Sequence, residues 1–209
     1  KICERGAEYL GCSPDDVEFD GEKVVNLKTK EEITRKEIGN KVMCSSNAPL
    51  SATEAFSSPV SPPPFMVGIA EVEIDKETGV VEPIDYAAVV DCGTVVNPNL
   101  ARVQTEGGIA QGIGMALYED IIYSEKGKNY SNSFMQYKIP SRLDVGEIRV
   151  EFESSYEPTG PFGAKSIGEI VINTPSPAIS NAVQNAVGVI VRELPITAEK
   201  VYKGMAEKE

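Results

Sequence analysis

Four prolines within the stretch Ser57 to Pro64 constrain the fold of this chain more than any other feature. The stretch holds four of the chain's 14 prolines, and each proline lacks a backbone N–H and has a fixed φ angle. The stretch therefore cannot continue a helix or a central strand, and we expect an extended linker. The organisation predicted from it is a small leading α+β lobe at residues 1–56, a linker at 57–64 and a main domain at 65–209.

Local signals in the leading lobe predict short elements. Apolar residues from Lys1 to Leu10 recur at helical spacing and end at Gly11, as in a helix that ends at a left-handed glycine. Asp20-Gly21 stands between two alternating stretches and indicates a hairpin. Thr34 precedes a second short helical pattern and is its candidate cap.

The main domain opens with two predicted strands joined at Lys76 to Gly79. The second becomes continuously apolar from Tyr86 to Val90, which is typical of a strand buried on both faces. Later strands and helices follow without regular alternation. We therefore predict an α+β fold with mixed sheets and packed helices.

A glycine-rich helix is predicted from Asn99 to Asp120. It contains Gly107, Gly108, Gly112 and Gly114, and each interior glycine costs a helix about 1 kcal/mol relative to alanine. Four such glycines need a compensating reason. The predicted one is close approach of another backbone or of a bulky ligand.

Charge and residue usage exclude several classes of function. The chain has 20 Lys and Arg against 32 Asp and Glu, a net charge of −12, which opposes binding to nucleic acid. No apolar run reaches the roughly 18 residues of a membrane span, so neither nucleic acid nor membrane is an expected partner, and the expected location is the cytoplasm. The chain has no histidine and four scattered cysteines, so we predict no protein-ligated metal, and catalysis must rest on a carboxylate or a cofactor.

One carboxylate, Glu169, stands where a glycine-rich loop (Gly160 to Gly168) meets an apolar helix. The ordinary interpretation is an acid placed at the positive end of a helix dipole. The loop could also hold an anionic ligand on free backbone amides. These residues alone leave both interpretations open.

Three motifs resemble one known family in order and spacing. They are VVDCGTVVNPNLARVQTEGGIAQGIGMALYED, YKIPSRLDVGEI and GPFGAKSIGEIVINTPSPAISNAVQNAVG. They are similar to the C-terminal part of the molybdopterin-binding large subunit of the xanthine dehydrogenase and aldehyde oxidase family. LSATEAF and the strand pair after it also resemble that subunit, so the resemblance covers nearly the whole chain.

The resemblance implies roles for particular residues. Glu169 matches the family's general base beside the molybdenum, and Gln104 matches a glutamine that hydrogen-bonds the pterin. The backbone of Lys165, Ser166, Ile167 and Gly168 is expected to form part of the cofactor wall. Such a base needs a water-poor pocket, and Ile167 and Ile170 are compatible apolar neighbours. The sequence departs from the family at Val103 and Ser166, where glycine is common, and at Ile167, which replaces valine.

The resemblance also implies a reaction and its cofactors. It implies hydroxylation of a heterocycle or aldehyde carbon with oxygen derived from water, by a molybdenum–molybdopterin cofactor whose metal is held by the pterin. Whether the pterin carries a cytosine dinucleotide and whether the metal carries a sulfur or selenium ligand are left open. Iron–sulfur clusters and FAD are expected only on partner domains or subunits.

The family's earlier segments, including a glycine-phenylalanine-glycine loop and a cofactor-binding arginine, have no counterpart in this sequence. We therefore expect the C-terminal portion of a large subunit or a separately encoded small subunit, inactive without the remaining molybdopterin-binding half. Two alternatives stay open. One is a non-catalytic assembly module of such a complex, and the other is a stand-alone protein that binds an anionic small molecule at the glycine loop.

Overall fold

The computed structural model describes residues 1–45, 49–55 and 57–207. Two parts of the predictions lie outside the described residues. One is Phe56, which ends both LSATEAF and the predicted leading lobe, and the other is residues 208–209, which end the predicted main domain. The predicted α+β class with mixed sheets is confirmed. The chain divides into two compact units, Lys1–Ser57 and Ser58–Glu209. The finer division into lobe, linker and main domain stays a prediction.

Helices and strands alternate irregularly along the chain. The helices are α1 (Ile2–Leu10), α2 (Arg35–Met43), α3 (Pro98–Leu117), α4 (Ile170–Asn173), α5 (Pro175–Val187) and α6 (Ala198–Ala206). The strands are β1 (Val17–Phe19), β2 (Lys23–Asn26), β3 (Glu32–Thr34), β4 (Phe65–Ile74), β5 (Val81–Asp91) and β6 (Glu147–Phe152). No helix in the described part of the chain is long and apolar enough to cross a bilayer.

The first unit follows its local signals closely. Gly11 ends α1 in the left-handed conformation, and the strands on either side of Asp20-Gly21 pair antiparallel. Thr34 caps α2 through a reciprocal capping box with Glu37. Strands β1, β2 and β3 form an antiparallel sheet whose apolar side chains pack against both helices. The predicted helix, hairpin and cap are therefore confirmed.

The second unit is built on the sheet β4-β5-β6. Strands β4 and β5 are antiparallel, and β5 and β6 are parallel. Inward-facing side chains of the sheet pack with those of α3, α5 and α6. The largest fully buried members of this core are Tyr86, Ile109, Ile113, Ile179 and Ile196.

The prediction that Tyr86 to Val90 is buried on both faces is wrong for this chain. Burial alternates along the stretch: Tyr86, Ala88 and Val90 are buried, whereas Val89 is 48% exposed. The cause is that the core packs on one face of the sheet. The opposite face carries exposed Val67 beside Val89.

Candidate functional site

Helix α3 positions one side of the candidate site. It begins at Asn97, whose side-chain oxygen accepts a hydrogen bond from the Leu100 N–H at 3.1 Å, and Pro98 occupies the first helical turn, where its missing N–H costs nothing. The helix ends at Leu117, three residues before the predicted end at Asp120. Gln104 and the four glycines therefore lie on a single helix of 20 residues.

The glycines of α3 have two different surroundings. A Cβ added to Gly108 would lie 2.2 Å from a Val171 methyl carbon, and one added to Gly112 would lie 2.6 Å from the Pro175 ring. These two glycines let α4 and the start of α5 approach the helix, so the predicted close approach is confirmed there. At Gly107 a Cβ would meet no described atom within 4 Å.

The loop before Glu169 is fixed to the end of strand β5. The Lys165 N–H donates to the Cys92 carbonyl at 2.7 Å, and the Thr94 N–H donates to the Gly163 carbonyl at 2.8 Å. A Cβ at position 93 would lie 2.4 Å from the Gly163 carbonyl oxygen, and Gly93 has φ 71°. Glycine is therefore required at 93 for the loop to come this close.

An ion pair completes this attachment. The Lys165 ammonium lies 2.6 Å from a carboxylate oxygen of Asp91, and only 8% of the lysine side chain is exposed. Asp91 also accepts hydrogen bonds from the Ser155 hydroxyl at 2.6 Å and the Gly93 N–H at 3.0 Å. The lysine bond, followed by those from Ser155 and Gly93, lowers the pKa of Asp91 to about 2. The Lys165 side chain is thus committed to the fold, and its backbone is what the loop presents.

A cleft of about 630 Å³ lies between the N-terminal half of α3 and this loop. Four of the predicted site residues line it, namely Gln104, Lys165, Ile167 and Gly168. The Gln104 amide donates to the Gly168 carbonyl at 3.1 Å, which joins helix and loop across 64 positions of sequence. The remaining lining is largely apolar and comes from Ala164 and from residues 92–103: Cys92, Thr94, Val95, Val96, Asn97, Leu100, Ala101 and Val103.

The other two predicted residues lie beside this cleft. Ser166 lines a neighbouring depression of about 340 Å³ with residues of the proline-rich stretch, including Val60 and Pro62. Glu169 is exposed and immediately precedes α4 without a side-chain capping bond. Its carboxylate contacts no other described residue through a hydrogen bond or ion pair. The expected water-poor surroundings are therefore not formed by the described part of this chain.

The loop also has hydrogen-bond donors to offer. Within the described residues, no backbone or side-chain acceptor takes a hydrogen bond from the N–H groups of Ser166, Ile167 or Gly168. Successive free amides of this kind suit an anionic group. The Gln104 amide keeps its oxygen as an acceptor. Neutral amides beside an apolar cleft fit a large, polar, negatively charged cofactor better than a metal ion held by side chains.

Sequence reasoning missed the cleft lining at residues 92–103 and the anchoring residue Asp91 beside it. Asp91, Cys92 and Gly93 follow the apolar part of β5 directly, and a polar residue at the end of a core strand is a usual position for a functional or anchoring group. That signal was available in the sequence. The pairing of Asp91 with Lys165 could not be predicted from the sequence, because the two residues lie 74 positions apart.

Comparison with known proteins identifies the family. Residues 1–146, which include Gln104, match the molybdopterin cofactor-binding domain. The chain therefore belongs to the family of molybdopterin cofactor-binding domains found in xanthine dehydrogenase and aldehyde oxidase relatives, as the sequence motifs predict.

Three relatives show how far the similarity extends. The probable hypoxanthine oxidase XdhD of Escherichia coli is 34% identical over 98% of this chain and 22% of its own length. The gamma subunit of the 6-hydroxypseudooxynicotine dehydrogenase complex of Paenarthrobacter nicotinovorans is 31% identical over 94% of this chain and 26% of its own length. The structure of CO dehydrogenase from Oligotropha carboxidovorans superposes with a TM-score of 0.77 and 25% identity over 99% of this chain and 27% of that one. The chain thus spans about a quarter of the length of these relatives.

Proposed function

We propose that this chain is part of a molybdenum hydroxylase that hydroxylates a carbon of a heterocycle or an aldehyde with oxygen derived from water. One observation carries the proposal. The Gln104 amide and the Gly168 carbonyl meet at 3.1 Å, so the fold brings the predicted cofactor-binding glutamine against the loop that carries Glu169. The two motifs that resemble the family are thus in contact, which supports the proposal that they share one site.

In this proposal the chain holds the cofactor with neutral groups. Gln104 hydrogen-bonds the pterin, and the backbone of Lys165, Ser166, Ile167 and Gly168 forms a wall beside it. The Lys165 side chain is turned away from that wall and pairs with Asp91. When bound, the pterin-held molybdenum would supply the two-electron oxidation of the substrate carbon, which explains how a chain without histidine can serve a redox enzyme.

Glu169 is the proposed general base. Its carboxylate has no partner among the described residues, so it is free to take a proton from the reacting water. It is exposed here, and a covering partner would remove water from around it, which disfavours the charged form of a carboxylate and makes it a stronger proton acceptor. The proposal therefore requires the remaining molybdopterin-binding half.

The resemblance to the family also supports a proposal for the rest of the assembly. Electrons would leave through iron–sulfur and flavin modules on partner domains or subunits. The three relatives are named for hypoxanthine, 6-hydroxypseudooxynicotine and CO. Since proteins named for such different molecules share this fold, the proposal does not choose among a purine, a nicotinate-like ring and an aldehyde, nor between pterin nucleotide forms.

The test is to express this chain together with the rest of the large subunit and to measure molybdenum content and hydroxylation of xanthine, nicotinate and aldehydes. Glu169→Gln is compared with Glu193→Gln, an exposed glutamate that lines neither depression near the loop. We expect Glu169→Gln to keep its molybdenum and to lose about 10²–10⁴-fold in kcat, with Glu193→Gln unchanged.

Two results would reject the proposal. If Glu169→Gln turns over as fast as the parent complex, the residue is only the start of a helix. If the parent complex assembles but holds no molybdenum, the chain is an assembly module.

A further inference from the structure

The segment from Lys165 to Thr174, which carries Glu169 and α4, is tied at both ends to one strand, β5. On the N-terminal side, Asp91 at the end of β5 holds the Lys165 ammonium at 2.6 Å. On the C-terminal side, the buried Tyr86 hydroxyl donates to the Thr174 hydroxyl at 2.8 Å. Lys165 precedes Glu169 by four residues and Thr174 follows it by five. The position of Glu169 is therefore set by β5 and not by α4 alone.

The two ties differ in strength. The Tyr86–Thr174 bond joins two neutral groups. The Asp91–Lys165 pair joins two charges, and the ammonium is shielded from water by its surroundings, including the Phe65 ring at 5.2 Å. Removing one member of a buried ion pair leaves an uncompensated charge that the fold must expose or neutralise. Loss of Asp91 would therefore drive Lys165 outward and carry the loop backbone with it.

The same strand offers a matched control. Asp85 lies six residues earlier on β5 and pairs with Arg149 of β6. Both aspartates are mostly shielded, with 19% and 22% of their side chains exposed. The cations differ, because 61% of the Arg149 side chain is exposed against 8% for Lys165. Arg149 can turn to water when its partner is lost, and it lines neither the cleft nor the depression beside the loop.

We propose that Asp91 is a positioning residue, which sets the place of the cofactor wall and of Glu169 by holding Lys165. This inference rests on the proposed function for its catalytic consequence. Its structural part stands on the contacts of this chain alone. It predicts that loss of Asp91 changes the catalytic geometry more than it changes substrate binding, because a displacement of about 1 Å at a reacting group can cost about 10²-fold in rate.

The first experiment measures how well the loop is held in place and does not depend on catalytic activity. Amide hydrogen exchange is followed by NMR on the chain at Lys165, whose N–H is bonded to the Cys92 carbonyl. We expect Asp91→Asn to speed exchange at Lys165 at least tenfold relative to the parent and Asp85→Asn to leave it within twofold. Equal exchange in the two variants would overturn the inference whatever the enzyme does.

A double variant separates positioning from stability. Asp91→Asn combined with Lys165→Met removes the ion pair without leaving a buried charge, so it is expected to be more stable than Asp91→Asn alone. The lysine–aspartate tie is still absent, and we expect exchange at Lys165 to stay at least tenfold above the parent. Exchange restored to the parent rate would show that packing alone places the loop and would reject the role of Asp91.

The second experiment uses the assembled complex. In Asp91→Asn, or in the double variant, we expect kcat to fall about 10- to 100-fold with KM within about twofold, and Asp85→Asn to match the parent. Asp91→Glu keeps the charge and should recover part of kcat. A rise in KM with unchanged kcat would contradict a positioning role. If Glu169→Gln is fully active while Asp91→Asn still loosens the loop, the proposed function fails and the anchoring part of this inference survives.

Discussion

The two sides of helix α3 use the same residue type for different purposes. On the packed side, Gly108 and Gly112 make room for Val171 and Pro175. On the open side, Gly107 stands one turn after Gln104 with no described atom near its missing side chain. Residues three apart share a helix face, so Gly107 and Gln104 belong to one exposed surface.

This difference separates Gly108 and Gly112, which allow close packing within the chain, from Gly107, which has no packing role among the described residues. The packed glycines bring α4 against α3 and so place Glu169 next to the helix. The open glycine offers this chain nothing to offset its cost of about 1 kcal/mol in a helix. We interpret the open side as the surface for the cofactor or for the rest of the subunit.

The largest effect is expected on the packed side, for Gly112→Ala. The added methyl would lie 2.6 Å from the Pro175 ring and 3.0 Å from the Ile172 carbonyl oxygen, and neither group can rotate away. We expect the free energy of unfolding to fall by about 2 kcal/mol despite the better helix propensity of alanine. Thermal unfolding checks this, with a decrease of about 4–8 °C in Tm expected for a unit of this size. An unchanged or higher Tm would mean that α4 does not pack as described.

An intermediate effect is expected on the open side, for Gln104→Ala in the assembled complex. The variant loses the bond to the Gly168 carbonyl and the proposed bond to the pterin, and a typical net hydrogen bond contributes about 1 kcal/mol. We expect several-fold less molybdenum to be retained after dialysis. Gln111→Ala, on the same helix but outside the cleft, is the control. Equal metal loss in both variants would remove Gln104 from the site.

The smallest effect, and the one of opposite sign, is expected for Gly107→Ala. With open space around the new methyl and a gain in helix propensity, the chain alone should become more stable by about 0.5–1 kcal/mol. Thermal unfolding of the Gly107→Ala and Gly112→Ala variants compares the same substitution on the two sides of one helix. Destabilisation by Gly107→Ala would show that the open side is packed within this chain.

Sequence reasoning predicted those parts of the fold whose signals are local. The cap at Thr34 accepts the expected backbone hydrogen bond, and the hairpin at Asp20-Gly21 forms. Each of these features depends on residues within a few positions of one another, so nearby residue types suffice to specify them.

Prediction was weaker where a feature depends on distant residues. The run from Tyr86 to Val90 is apolar on both faces, but which face is covered depends on elements far along the chain. Val89 is exposed here because the core packs on the other face. The attachment of Lys165 to Asp91 likewise joins residues whose proximity no spacing rule specifies. Of the candidate site, Gln104 and the 165–169 loop could be named from motifs, whereas the cleft lining at residues 92–103 required the fold.

The most direct test of the proposed cofactor site is a structure of the assembled complex with its cofactor bound. We expect pterin density in the cleft, with the Gln104 amide and the N–H groups of residues 166–168 within hydrogen-bond distance of it. We also expect the Glu169 carboxylate to point towards the metal in a site closed to water. Cofactor density elsewhere, or a complex in which Gln104 and Glu169 still face solvent, would contradict the proposal.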